Sequence, residues 1–369
     1  MRAAHEEGDV DRGGGGVKQG TAYVEPPQTE AAGRKDRTVL VIGGAGYIGS
    51  VLVRDLLRRG YRVRVIDNLL YGHGSSLADL AEEPGFSFIR GDFCDNGVVD
   101  RSLRGVTDVV LLAALVGDPI CRKYPELATR TNREGPAALF DLLHGRRIGK
   151  FIFASTCSNY GEMDDDGYAD EERELKPLSL YAETKVHFEN HIIRNAPRVD
   201  FCPVILRLST AFGISRRMRF DLTVSEFTRA LALRRELCVY DEDTWRPYCH
   251  VSDIAEAMLR VIESPSETVR GRVFNVGSRE NNYTKKMLVD AVLAAVGGGT
   301  VRYQKGGADR RNYRVSFDAI QSRLGYRARF RIEDSVRALA AAIRNGLFDD
   351  VDSRKNFYGN HSIEARDPR

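Results

Sequence analysis

The sequence predicts an α/β fold: a doubly wound parallel sheet with a smaller C-terminal α/β lobe. Three observations lead there. Between residues 38 and 208, short apolar runs alternate with stretches of helical spacing, the pattern of a parallel sheet with helices on both faces. The first run stops at a glycine-rich turn, Gly43-Gly44-Ala45-Gly46-Tyr47-Ile48-Gly49, which opens a helix. Beyond Gly213 the alternation gives way to short strands, helices and arginine-rich loops.

Taken in order, Thr38-Val39-Leu40-Val41-Ile42 is an apolar run closed by glycine, as a buried parallel strand requires. Ile48, Val51, Leu52 and Leu56 recur at helical spacing. Residues 63–67, 86–89, 109–113, 151–154 and 204–208 are the next five strands, with helical stretches between them. Pro177 and Ser179 mark a helix start. The order of elements is that of a Rossmann-type sheet.

Length and composition set bounds. A chain of 369 residues, 42% hydrophobic, is long enough for two domains or one large unit with a smaller lobe. A net charge of +3 gives no reason to expect a nucleic-acid partner. The longest apolar run, residues 109–116, is too short to span a bilayer, so no membrane partner is expected. The N-terminal segment lacks the apolar stretch of a secretory signal, and the expected location is cytoplasmic. Cys94, Cys121, Cys157, Cys202, Cys238 and Cys249 are scattered singly, as for unpaired thiols in a reducing compartment. His187 and His191 lie four apart on a helix, but no third ligand is evident and no metal is expected.

The expected organisation is a disordered polar tail over residues 1–36, carrying Gly13-Gly14-Gly15-Gly16 and Pro26-Pro27. A dinucleotide-binding domain follows over residues 37–208 with 246–277. A substrate lobe comprises residues 209–245 with 278–355, and residues 356–369 form a flexible tail.

A bound diphosphate needs backbone N–H donors at close range, and side chains at the turn would block the approach. Gly43, Gly46 and Gly49 stand between a strand and a helix, the context such a turn demands. The next strand ends at Asp67, 18 residues beyond Gly49. A carboxylate there accepts both ribose hydroxyls and repels a 2′-phosphate, which selects NAD over NADP. Arg62 and Arg64 alternate along that strand and face solvent. Asp92 ends the third strand, either as a side chain meeting the adenine or as a helix N-cap.

Tyr181 and Lys185 are one helical turn apart and share a face. A phenol titrates near pH 10 and is a poor base at neutrality. A neighbouring ammonium, with a positive nicotinamide ring, would lower it so that Tyr181 can take a proton from a substrate hydroxyl. The polar run Ser155-Thr156-Cys157-Ser158-Asn159-Tyr160-Gly161 ends the fifth strand, where open parallel sheets place their sites. Thr156 is placed to hold the reacting hydroxyl. Cys157 is read as an idle thiol, because no histidine is evidently placed to activate it.

Jointly these residues resemble the extended short-chain dehydrogenase/reductase family, in its NAD-dependent nucleotide-sugar epimerase/dehydratase branch, over about residues 37–345. The landmarks are Gly43-x-x-Gly46-x-x-Gly49, Asp67-Asn68-Leu69, Gly91-Asp92, Leu112-Ala113-Ala114, the Thr156 run, Tyr181-x-x-x-Lys185 and Arg246-Pro247-Tyr248-Cys249-His250-Val251-x-Asp253. The resemblance implies NAD held by Gly43, Gly46, Tyr47, Ile48, Gly49, Asp67, Asn68, Asp92, Ala113 and Lys185. It implies a catalytic triad of Thr156, Tyr181 and Lys185. Arg246, with Arg310 or Arg311, would hold the diphosphate of a nucleotide-diphosphate sugar. A homodimer is also implied, built on the Tyr-x-x-x-Lys helix; Val186, Ile192 and Ile193 supply its apolar contacts unless they face the sheet.

Departures from the family pattern narrow the chemistry. Family 4,6-dehydratases carry Thr-Asp-Glu where this chain has Thr156-Cys157-Ser158. Epimerases working at C3 and C5 place a cysteine at the position of Ser158. Leu111 replaces a common histidine. Thr210, with Arg217 seven residues later, is similar to the carboxylate-binding pair of glucuronate 4-epimerases. The expected activity is an NAD-dependent nucleotide-sugar 4-epimerase working through a transient 4-keto sugar. The alternatives are a 4-ketoreductase using NAD(P)H and a nucleotide-uronate epimerase or decarboxylase.

Overall fold

In the computed structural model, residues 33–163 and 165–363 are described. The strands are β1 (Thr38–Ile42), β2 (Arg62–Asp67), β3 (Phe86–Arg90), β4 (Asp108–Leu111), β5 (Lys150–Thr156), β6 (Cys202–Leu208), β7 (Thr210–Phe212), β8 (Leu237–Tyr240), β9 (Trp245–His250), β10 (Val273–Val276), β11 (Asn282–Thr284) and β12 (Val301–Gln304). Seven form one sheet in the order β10-β6-β5-β4-β1-β2-β3, with every neighbouring pair parallel. The expected α/β Rossmann-type architecture is therefore observed. All six strands expected from the apolar runs are present. The seventh, β10, was missed because its four residues include the polar Asn275.

Alternation along β1 divides the two cores. Val39 and Val41 pack on one face with Leu52, Leu56, Ile254 and Met258, from helices Gly49–Arg58 and Val251–Glu263. Leu40 and Ile42 pack on the other with Leu139, Phe140, Phe188 and Ile192, from helices Gly135–Leu143 and Leu180–Asn195. Each fully buried aliphatic or aromatic side chain contributes about 1.5–3 kcal/mol, so neither face can be vacated.

The second lobe has its own core, including Phe212, Phe227, Leu231, Leu288, Val292, Ile332 and Leu339. β9 lies there, in a three-stranded sheet between β11 and β7, so residues 246–250 do not join the central sheet. The order changes direction at β1 and β4, each flanked by the other and by strands running away on opposite sides. Such a reversal opens a crevice at the carboxyl ends of the strands.

Both expected tails need correction where they are described. Arg34 is buried and pairs with Glu263 at 3.0 Å. Residues 356–363 are packed, with Tyr358 buried against Phe220 and Phe348. Their polar composition hid a few anchoring side chains. Residues 1–32 and 364–369, the rest of both expectations, lie outside the described residues. Among the described residues no helix is long and apolar enough to cross a membrane.

Candidate active site

The crevice at the β1/β4 reversal widens into a cavity of about 1060 Å³, lined by all the residues expected from the sequence to hold NAD or substrate or to act in catalysis. Its floor is the glycine turn. A Cβ on Gly43 (φ +86°) would lie 2.6 Å from the Ala113 nitrogen, and one on Gly49 would overlap the Gly43 carbonyl oxygen. The turn is thus a cradle that side chains would fill. Asp67, at the end of β2, accepts from the N–H groups of Ala45 (3.1 Å) and Leu69 (2.9 Å), with His73 Nε2 at 3.3 Å. These bonds hold its carboxylate at the crevice wall. Asn68 Oδ1 accepts from Leu70 N–H at 3.1 Å.

The Tyr47 hydroxyl donates to the Gly213 carbonyl at 2.5 Å. Asp92 pairs with Arg130 at 2.6 Å, whereas the following helix Asn96–Ser102 is capped by Asp95. The N-cap alternative for Asp92 is therefore overturned.

Helix Leu180–Asn195 is fixed by the face it buries. Phe188 stacks edge-on to Phe153 of β5 at 4.7 Å and packs against Phe140 and Phe151. Lys185 and Ile192 share that buried face, one turn to either side. Ile192 therefore belongs to the subunit's own core, while Ile193 is exposed. Ser179 caps the helix, accepting from Ala182 N–H at 3.3 Å while donating to Asp118 at 2.6 Å. The cap sets Tyr181 at the cavity wall, beside Leu115 and Ile120.

Lys185 Nζ donates to the Ala154 carbonyl at 2.8 Å and lies 5.9 Å from the Tyr181 ring centre. Burial pushes its ammonium down to about 8. Burial also pushes the Tyr181 phenol well up, helped by Cys121 and Asp118 and opposed by Arg219 and Arg311. The expected lowering of Tyr181 is thus not produced by the protein's own groups: desolvation outweighs the cations around it. Thr156 Oγ1 accepts from Ser158 N–H at 3.1 Å at the end of β5. The Cys157 thiol donates to the Arg207 carbonyl at 3.2 Å, and burial pushes it well up, so it is not poised as a nucleophile.

Two cationic groups flank this centre. Arg246, on β9, pairs with Asp309 at 2.9 Å beneath the Tyr313 ring. Arg311 joins it, with Nε at 2.8 Å from Asp309 and Nη1 at 3.0 Å from the Ser158 hydroxyl. Arg310 instead points outward, 74% exposed, and pairs with Glu162. Burial would raise the Asp309 carboxyl, but Arg311 and Arg246 hold it well below the usual carboxylate range. The second group holds Arg217, stacked over Tyr71 at 5.0 Å, and Arg219, which is bidentate on Asp221 at 2.9 and 2.6 Å. Thr210, on β7, also lines the cavity.

Sequence reasoning missed Asp309, Asp118, His73, Asp221 and Asn360, all in the cavity wall. Asp309 had a signal, a carboxylate directly before two arginines. Asn360 had none, lying in the segment read as a tail.

A glycine cradle at the sheet's reversal point, facing a Tyr-Lys pair across one cavity, defines an enzyme that works on a second ligand beside a bound dinucleotide. The chain belongs to the NAD dependent epimerase/dehydratase family, whose pattern matches residues 39–277, and its cofactor is NAD. It is 29% identical over 323 residues to a dTDP-glucose 4,6-dehydratase of Actinoplanes, covering 83% of this chain and 97% of that one. It is 29% identical over 276 residues to a UDP-glucose 4-epimerase of Corynebacterium glutamicum, covering 70% and 80%. The crystal structure of Thermus thermophilus UDP-glucose 4-epimerase with NAD superposes with a TM-score of 0.73 at 28% identity, over 83% of this chain and 99% of that one.

Proposed function

We propose that the protein is a nucleotide-sugar 4-epimerase that works through a transient 4-keto sugar. Its bound NAD supplies a hydride acceptor that later acts as donor. Thr156 orients the C4 hydroxyl, and Lys185 fixes the helix face against Ala154. Tyr181 would take that hydroxyl's proton once the positive charge of a bound nicotinamide ring adds to that of Lys185 and offsets the burial that holds its phenol protonated. Proton transfer of this kind is worth about 10²–10⁴ in rate. Arg246 and Arg311 clasp the diphosphate, and the sugar then turns within the cavity to present its other face.

The observation that carries the reading is the wall beside Thr156. Cys157 is turned into the core and Ser158 is held by Arg311, so no acid–base pair stands there to eliminate water. The test is to incubate the purified protein with UDP- and dTDP-hexoses and follow the products by NMR. The expected result is interconversion of C4 epimers with no net change in nicotinamide absorbance. A 4-keto-6-deoxy product, or one NAD(P)H consumed per product, would overturn it.

A uronate substrate is the second reading. It is favoured by the buried arginines Arg217 and Arg219, of which Arg219 is ion-paired with Asp221 while Arg217 bonds to the neutral Asn360.

A further inference from the structure

The segment 358–363 crosses from the second lobe to the loop after β4. At its start the Tyr358 carbonyl accepts from Phe220 N–H at 2.7 Å. At its end Ile363 packs against the small apolar cluster of Leu115, Ile120, Cys121 and Ala128, and its N–H donates to the Tyr124 hydroxyl at 3.4 Å. Between them Asn360 bonds in three directions. Its backbone N–H donates to Asp221 at 3.1 Å, its side-chain oxygen accepts from Arg217 Nη2 at 2.8 Å, and its side-chain nitrogen donates to the Val116 carbonyl at 3.0 Å. One amide therefore ties the loop after β7 to the loop after β4, and both loops line the cavity.

Arg217 is the group this clasp restrains. It is 3% exposed, and its Nε is buried with no partner among the described residues. Burial, then the neighbouring Arg219, pushes its guanidinium down to about 10. A buried cation with an unmatched N–H is costly unless something completes it. Arg217 faces the cavity beside Arg219, and Arg219 is close enough to Tyr181 to oppose the rise of its phenol.

We propose that Asn360 is a positioning residue that holds Arg217 toward the sugar end of the nucleotide-sugar, so that the segment 358–363 helps to set which sugars the cavity accepts. The proposal rests on the nucleotide-sugar reading above. Free of Asn360, the arginine would swing with its loop, and the loop after β4 would lose its link across the cavity.

A double-mutant cycle tests it, using wild type, Asn360→Ala, Arg217→Ala and the double variant. The readouts are KM and kcat for the sugar that wild type converts, and NAD retained per subunit. Asn360→Ala is expected to raise KM about tenfold, the loss of a hydrogen bond to a charged group, with kcat within about twofold and NAD content unchanged. In the Arg217→Ala background it is expected to add nothing. An unchanged KM, a full further effect without Arg217, or loss of NAD would each overturn the proposal. If Asn360→Ala does not fold, Asn360→Ser is read the same way. If wild type converts no nucleotide sugar, the functional reading fails separately. The clasp is then read by amide hydrogen exchange: exchange in residues 115–118 and 217–221 is expected to quicken together in Asn360→Ala, and unchanged exchange would overturn it.

Discussion

Behind Thr156 lies a buried ion pair whose disruption should be felt both in stability and in the site. Arg207 Nη2 lies 2.8 Å from Glu189 Oε2, and Arg207 Nε lies 3.1 Å from the same oxygen. The side chains are 5% and 1% exposed. Glu189 also accepts from Asn159 Nδ2 at 2.8 Å and from the Ser155 hydroxyl, residues on either side of Thr156. Glu189→Gln keeps the shape but removes the charge, leaving the Arg207 guanidinium buried without a counterion. Breaking such a pair from one side costs about 3–5 kcal/mol. The lower end is expected here, because Arg207 keeps the Tyr160 hydroxyl and the Glu171 carbonyl, each at 3.0 Å. With a urea slope of about 3 kcal/mol/M, a loss of about 3 kcal/mol moves the unfolding midpoint down by about 1 M. Replacing both partners, Glu189→Met with Arg207→Met, removes both buried charges and should cost less than the two single changes summed. Urea titration of wild type, Glu189→Gln, Glu189→Met, Arg207→Met and the double variant gives the answer. A single-variant loss below about 1 kcal/mol, or full additivity in the double variant, would refute the reasoning.

Other changes act on the site directly. Tyr181→Phe should lower kcat by about 10²–10⁴ while leaving bound NAD unchanged, measured by turnover and by the nicotinamide content of the purified protein. Gly49→Ala should abolish NAD retention with the fold intact by circular dichroism, because its Cβ would meet the Gly43 carbonyl and the Gly44 backbone. The Asp221 carboxyl, which burial would raise, is instead pulled by Arg219 from 3.8 down to about 2. A depressed carboxylate stabilises above its unfolded pKa, so about 2 kcal/mol should be present above pH 4 and lost as pH falls through 2. Unfolding of wild type and Asp221→Asn, compared at pH 7 and pH 3, should show their stabilities converging at the lower pH.

Much of this was legible in the chain. The six apolar runs are strands because strands buried on both faces must be apolar throughout, and the glycine turn follows from the room a diphosphate needs. Tyr181 and Lys185 were readable because helical spacing puts them on one face, with a cap just before. The state of Tyr181 was not readable: spacing brings Lys185 near, but only packing shows that Lys185 bonds to Ala154 and that burial dominates both groups. Arg310 and Arg311 were equivalent on paper, and the turn at Asp309 separates them. Asn360 was invisible because its meaning lies in partners 139, 143 and 244 residues away.

The alternation along β1 has a consequence for how this chain can vary. Four of the strand's five residues share out two cores, odd positions to one and even to the other, before the chain reaches Gly43. Deleting one of them would exchange the two faces and draw the glycine turn back by about 3.3 Å. Folding and cofactor capture would then fail together. Length in this strand is therefore far less free to drift than side-chain identity, and lineages should record substitutions there but not insertions or deletions.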